Sequence, residues 1–181
     1  MNLNSTHNIY FIGIGGIGMS ALARYFVANG KKVAGYDKTQ TELTNNLEAL
    51  GIEIHFEDTI NNISQSFLNP KETLVVYTPA IPKGHSELNY FLNNNFKVLK
   101  RSQVLGLITK DTYCLAIAGT HGKTTTSSIL GHLLAECGVE VTAFLGGISQ
   151  NYNSNLILKG SKVTVVEADE FDRSFLTLSQ I

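Results

Sequence analysis

Short apolar runs alternate with amphipathic stretches along most of this chain. Residues 8–12 (Asn-Ile-Tyr-Phe-Ile) are apolar on both faces, which predicts a buried strand. Met19, Leu22, Ala23, Phe26 and Val27 then recur at helical spacing. Residues 32–36 read as a second strand, and 42–50 as a helix closed by Gly51. Ile52-Glu53-Ile54 alternates as a short strand with His55 at its C-terminal end, where either a structural or a functional role fits. Residues 61–69 are polar and predict nothing. A buried strand follows at 73–77. Pro79 and Pro82 then stiffen a loop and bar a helix until about Ser86. A helix over 87–94, a strand over 96–99 and a short helix over 104–108 lead to Lys110-Asp111, the expected domain junction.

The second half opens with an apolar run at 113–118, which predicts another buried parallel strand. A helix over 127–137 carries Ile129, Leu130, Leu133 and Leu134. Residues 139–145 read as a strand ending in Gly146-Gly147, 150–160 as polar loop, and 163–166 as a strand followed by Glu167-Ala168-Asp169-Glu170. Strand–helix alternation throughout predicts an α/β fold with parallel sheets. Only three strands are expected after Lys110, fewer than the usual five or six of a sheet. Phe175-Leu176 should enter a further element, so the chain is expected to be a fragment of something longer.

Composition narrows the classes. Of 181 residues, 43% are apolar and 16% charged, with a net charge of −1. That balance gives no basic field for nucleic acid or an anionic membrane surface. No apolar run approaches the ~18 residues of a membrane span. The short polar start lacks a signal-peptide core. Cys114 and Cys137 lie far apart and are read as buried free thiols of a cytoplasmic protein.

Two glycine-rich loops carry the candidate chemistry. Gly13-Ile14-Gly15-Gly16-Ile17-Gly18 follows the first strand and opens a helix. Gly13 suits a tight turn, Gly15 a close approach to a diphosphate, and Gly18 close helix–strand packing. Asp37 follows the second strand, 19 residues after Gly18, where a ribose-binding carboxylate sits in dinucleotide folds; it could equally cap a helix starting near Thr39. This half alone also satisfies the fingerprint of an NAD-dependent oxidoreductase. The second loop, Gly119-Thr120-His121-Gly122-Lys123-Thr124-Thr125, again lies between strand and helix. The general P-loop pattern asks for Gly where Ile117 stands, so a tighter variant is present. Loop amides and a helix N-terminus would hold phosphates, with Lys123 on the terminal ones. Thr124 and Glu167 would hold Mg²⁺, with Asp169 and Glu170 as weaker candidates. A dehydrogenase has no use for the second loop or for Glu167.

These two loops, with Val165-Val166-Glu167-Ala168-Asp169-Glu170 and Thr78-Pro79-Ala80-Ile81, together resemble the Mur ligases over essentially the whole chain. The resemblance implies a Rossmann-like domain over 1–109 that binds a UDP-sugar. It implies that 110–181 begin a central P-loop ATPase domain, with a third domain absent. It further implies that Gly13, Gly15, Gly16, Gly18 and Met19 hold the UDP diphosphate. Asp37, Thr78, Ala80 and Arg101 would lie around the uridine or its phosphates, and Gly119 to Thr125 would hold ATP. His121 would either hydrogen-bond phosphate or substrate, or stabilise its loop. Pro79 stands where the family usually has Ser, which removes one backbone N–H.

The reaction so implied is ATP-dependent ligation of an amino acid through an acyl phosphate, in peptidoglycan precursor synthesis. The histidine in the second loop and the Gly-Gly-x-Gly-Met run resemble the family members that use L-alanine and UDP-N-acetylmuramate, so the resemblance implies those substrates. A different amino acid or a preformed peptide is the alternative within the family. The fragment itself is expected to bind nucleotide without completing ligation. Its second domain is expected to be less stable than the first, or to associate with another copy.

Overall fold

The computed structural model describes residues 6–168. Asp169, Glu170 and the Phe175-Leu176 segment lie outside the described residues. The chain divides into two compact units, Met1–Arg101 and Ser102–Ile181. The division falls at the start of helix α4 (Arg101–Thr109), earlier than the expected junction at Lys110-Asp111.

The first unit is a five-stranded parallel sheet in the order β3-β2-β1-β4-β5. Its strands are β1 (Asn8–Ile12), β2 (Lys32–Tyr36), β3 (Glu53–His55), β4 (Thr73–Tyr77) and β5 (Lys97–Lys100). β1 is central and wholly buried, which is why both of its faces are apolar. Alternate side chains serve two layers. Phe11 meets Phe26 of α1 (Ile17–Ala28) with ring centroids 6.3 Å apart. Tyr10, on the opposite face, meets Phe91 of α3 (Ser86–Asn93) at 5.0 Å. β1, β2 and β4 have the expected bounds. β3 runs one residue later, so His55 is its last residue.

Helix α2 (Glu42–Glu48) is shorter than expected. A reciprocal capping box between Thr41 and Thr44 starts it, and Gly51 turns the chain after it at φ +84°. The stretch 61–69, which predicted nothing, contributes to the core. Two short 3₁₀ turns, Ile60–Asn62 and Gln65–Phe67, bury Phe67 completely and Ile63 almost so.

A polar network lies within this core, where His55 has a structural place. The Tyr10 hydroxyl donates to Glu87 Oε2 at 2.7 Å and lies 2.7 Å from His55 Nε2. Glu87 is fully buried. Burial, reinforced by the Asp58 charge, pushes its carboxyl up to about 7, while the Tyr10 hydroxyl and the Thr59 amide pull the other way. Asp58 accepts the Ser86 and Glu87 amides at 2.9 and 3.1 Å, satisfying donors at the start of α3.

The second unit has a four-stranded sheet in the order β6-β9-β7-β8, with β8 antiparallel to β7 and the other pairs parallel. β6 (Tyr113–Ile117) was expected to be buried. It lies at the sheet edge, with Tyr113 58% exposed. β7 (Val141–Ser149) continues through Gly146-Gly147 instead of ending there, and its register shifts between Phe144 and Ser149. The expected polar loop over 150–160 contains a strand, β8 (Ser154–Leu158), hairpin-paired with β7. β9 is Val163–Glu167. Helix α5 (Lys123–Glu136) sits tight on this sheet: a Cβ on Gly131 would stand 2.8 Å from Ala143 Cβ. Leu130 and Leu134 pack on the core, whereas Ile129 and Leu133 are exposed. Cys114 is half-buried and Cys137 exposed; both are free, which corrects the expectation that both thiols are buried.

Between its ordinary carboxyl value and about 7, folded Glu87 holds a proton that the unfolded chain has released. Stability from this group is therefore complete below the ordinary carboxyl value, falls as pH rises from there, and is lost once pH passes about 7. Glu87→Gln keeps the shape and stays neutral. Its urea midpoint is expected to fall less between pH 5 and pH 8 than the parent's, a difference of order 2 kcal/mol. Parallel pH profiles for the two proteins would contradict this.

Candidate functional site

In the first unit, Gly13 ends β1 at φ +87°, a conformation open to glycine. Its amide and that of Ile14 donate to the Tyr36 carbonyl at 2.8 and 3.0 Å, tying the loop to the end of β2. Helix α1 starts from Gly16 with no side-chain cap and no acidic residue in its first turn. Its N-terminal end therefore carries the partial positive charge of first-turn amides.

Five side chains close on this loop, Thr44 Cγ2 among them at 2.9 Å from a Cβ on Gly15. A Cβ on Gly13 would stand 3.0 Å from Thr78 Cγ2 and 3.3 Å from Ile81 Cδ1. On Gly15 it would meet Asp37 Oδ2 at 2.9 Å, and on Gly18 it would meet Arg101 Nη1 at 2.9 Å. The sequence-predicted Gly13, Gly15, Gly16, Gly18, Asp37, Thr78 and Arg101 thus gather around one loop. Ala80 lies exposed in the turn closed by the Ile81 amide on Thr78 O at 3.1 Å. Met19 is only 2% exposed, so its side chain belongs to the core and only its backbone could face a ligand.

Asp37 does not cap a helix; Thr41 caps α2. The Asp37 carboxylate instead accepts the Gly15 amide at 2.7 Å through Oδ2 and the Thr39 amide at 3.2 Å through Oδ1. It closes the loop from the end of the neighbouring strand. An arginine beside an uncapped helix N-terminus places like charges together, an arrangement that an anion relieves.

In the second unit, Gly119 and Gly122 take φ +143° and +76°, letting the loop wrap back before α5 begins at Lys123. Lys123 Nζ donates to Gly119 O at 2.7 Å across the loop. Thr120, His121 and Thr125 are exposed. Thr124 Oγ1 donates to Glu167 Oε2 at 3.1 Å. The other carboxylate oxygen, Oε1, accepts Ser127 Oγ at 2.8 Å and the Gly146 amide at 2.7 Å. A Cβ on Gly146 would stand 2.5 Å from Glu167 Oε2 and 2.8 Å from Thr124 Oγ1.

Ser127 and Gly146 were absent from the sequence-predicted set. Ser127 follows Thr124 at i+3 on one helix face, a spacing that could have flagged it. Gly146 was read only as a strand end. Among the described residues no group of three His, Cys, Asp or Glu could hold a metal. Thr124 and Glu167 still suit Mg²⁺, which takes hard oxygen donors from one or two residues and completes its shell with water and phosphate.

Residues 8–113 match the Mur ligase family, catalytic domain. The UDP-N-acetylmuramate–L-alanine ligase of Flavobacterium psychrophilum is 67% identical over 178 residues, covering 98% of this chain and 40% of the relative. That of Porphyromonas gingivalis strain W83 is 58% identical over 168 residues, covering 92% of this chain and 37% of the relative. Among solved structures, the UDP-N-acetylmuramate–alanine ligase of Thermotoga maritima aligns with a TM-score of 0.80 at 34% identity, covering 90% of this chain and 37% of that one. A UDP-N-acetylmuramate:L-alanyl-γ-D-glutamyl-meso-diaminopimelate ligase from Neisseria meningitides aligns at 0.82 and 28% identity, covering 93% and 54%. This chain belongs to the Mur ligase family. It spans about 40% of the length of the curated relatives it matches.

Gly146→Ala is expected to push the Glu167 carboxylate off its donors and lower stability by about 1–3 kcal/mol. Chemical denaturation monitored within the second unit checks it. An unchanged midpoint would mean that the carboxylate can move at no cost.

Proposed function

We propose that this chain is the UDP-sugar-binding domain and the opening of the ATPase domain of an enzyme that joins L-alanine to UDP-N-acetylmuramate, using ATP and Mg²⁺, in cytoplasmic peptidoglycan precursor synthesis. The carrying observation is the pairing of two strand–loop–helix turns in one chain, one faced by Arg101 and the other by a hydroxyl–carboxylate pair. Identity of 67% and 65% to L-alanine ligases, against 28% to a peptide ligase, favours L-alanine as the amino acid.

In this reading the uncapped end of α1 and Arg101 hold the UDP diphosphate. Asp37, Thr78 and Ala80 lie around the uridine. The amides of Gly119 to Thr125 hold the phosphates of ATP. Lys123 leaves Gly119 O for the terminal phosphates, exchanging a neutral acceptor for an anionic one. His121, exposed on the same loop, would hydrogen-bond phosphate or steady the loop. Thr124 and Glu167 hold Mg²⁺, which would offset negative charge on the β- and γ-phosphates.

A carboxylate is a poor electrophile because its charge is delocalised and oxide is a poor leaving group. Attack of the sugar carboxylate on the γ-phosphorus forms an O–P bond as the bond to ADP breaks. The alanine amine then attacks the acyl phosphate, phosphate leaves from the tetrahedral intermediate, and the amine proton passes to base. Lys123 offsets the repulsion between the two anions in the first step. Ligation belongs to the longer protein; the present stretch supplies nucleotide binding.

Two measurements test this. Thermal melts of residues 1–181 are run with UDP-N-acetylmuramate, UDP and NAD⁺. A ligand at about 100 times its dissociation constant adds roughly 2.7 kcal/mol. Both UDP ligands are expected to raise the melting temperature and NAD⁺ to leave it unchanged; a rise with NAD⁺ alone would make the first loop a dinucleotide site. In the full-length protein, Lys123→Ala is expected to abolish turnover while leaving UDP-sugar affinity near normal by calorimetry. A large loss of that affinity would sink the two-site assignment.

A further inference from the structure

Glu167 is held asymmetrically. Oε1 has two donors, the Ser127 hydroxyl and the Gly146 amide, and Oε2 has one, the Thr124 hydroxyl. Ser127 is fully buried. Its single proton has a second acceptor within reach, Thr124 O at 3.1 Å, the backbone bond that helical serines commonly make. The carboxylate is nearer, at 2.8 Å, and charged, so it takes the proton. The outcome is a carboxylate whose rotation is blocked: turning it would break two hydrogen bonds on Oε1. Oε2 is thereby the oxygen presented beside Thr124 Oγ1.

We propose that Ser127 is a positioning residue that presents Glu167 Oε2, together with Thr124 Oγ1, to the divalent cation of a bound nucleotide. The inference rests on the metal assignment above and adds to it a residue that touches neither cation nor nucleotide. When a cation arrives, the Thr124 proton must turn away from Oε2 so that both oxygens offer lone pairs. The bonds on Oε1 do not change, so the site pays no reorganisation there. Partners that orient a ligating group in this way typically change metal affinity 10- to 100-fold when removed.

The test uses the full-length protein with Mn²⁺ and a non-hydrolysable ATP analogue, reading bound Mn²⁺ by electron paramagnetic resonance beside melting temperature. Ser127→Ala is expected to weaken Mn²⁺ binding about tenfold or more. It should raise the Mg²⁺ concentration for half-maximal turnover while leaving kcat at saturating Mg²⁺ close to the parent's. Ser127→Thr, which keeps the hydroxyl, is expected to restore most of the affinity. Unchanged Mn²⁺ affinity in Ser127→Ala would overturn the proposal. An equal loss in Ser127→Ala and Ser127→Thr would overturn it too, by showing that packing rather than the hydroxyl matters. Glu167→Gln with parental Mn²⁺ affinity would instead refute the metal assignment itself, a separable failure.

Discussion

In both units a carboxylate from the end of the neighbouring parallel strand reaches the turn from strand to helix, accepting a loop amide in the first and the helix's first hydroxyl in the second. In the first, Asp37 follows β2, the neighbour of β1, and accepts the Gly15 amide. In the second, Glu167 ends β9, the neighbour of β6, and accepts the Thr124 hydroxyl at the start of α5. Parallel register places the C-terminal ends of neighbouring strands side by side, so a carboxylate there reaches the adjacent loop. The glycines follow from the same crowding, since Gly15 and Gly146 stand where a side chain would meet that carboxylate.

The two carboxylates differ in what they leave open. Asp37 accepts backbone amides on both oxygens, so it fixes the loop and sets a negative charge at one side of it. The cationic side is formed by the end of α1 and Arg101. Glu167 accepts two side-chain hydroxyls and one amide. A hydroxyl can reverse its role from donor to ligand without moving its oxygen, and an amide cannot. On the proposed assignment, this difference is what would let the second site take a cation while the first holds an anion against its amides. Lys123, resting on Gly119 O, keeps its ammonium in the loop.

What could be read in the sequence follows burial. β1, β2 and β4 were recognisable to the residue because strands covered on both faces are apolar throughout, and the glycine loops punctuate them. β8 was missed although Asn151, Asn153 and Gly160 bracket it, because its apolar part is only Leu156-Ile157-Leu158 within a polar stretch and it pairs antiparallel at an edge. β6 misled in the other direction: an apolar run signals a strand, but not whether that strand has neighbours on both sides, and among the described residues β6 has only β9. Phe67 and Ile63 lie among polar residues with neither helical nor strand period, since 3₁₀ turns place single side chains inward.

The candidate sites divide along the same line. Gly13, Gly15, Gly18, Lys123 and Thr124 are constrained by chain geometry within one loop, and local spacing reveals them. Glu167 was legible as a carboxylate at a strand end and Arg101 through the family resemblance, while the loop atoms each one faces enter only with the sheet order. Ser127 and Gly146 lie one step further out, since they act on Glu167 rather than on a ligand. Serine is common on helices and glycine at strand ends, so neither residue type marks itself. Their role exists only because β7, β9 and α5 converge on one carboxylate. Recognition from sequence therefore fades with each contact that separates a residue from the loop, and the residues it loses first are those that hold the chemistry in register.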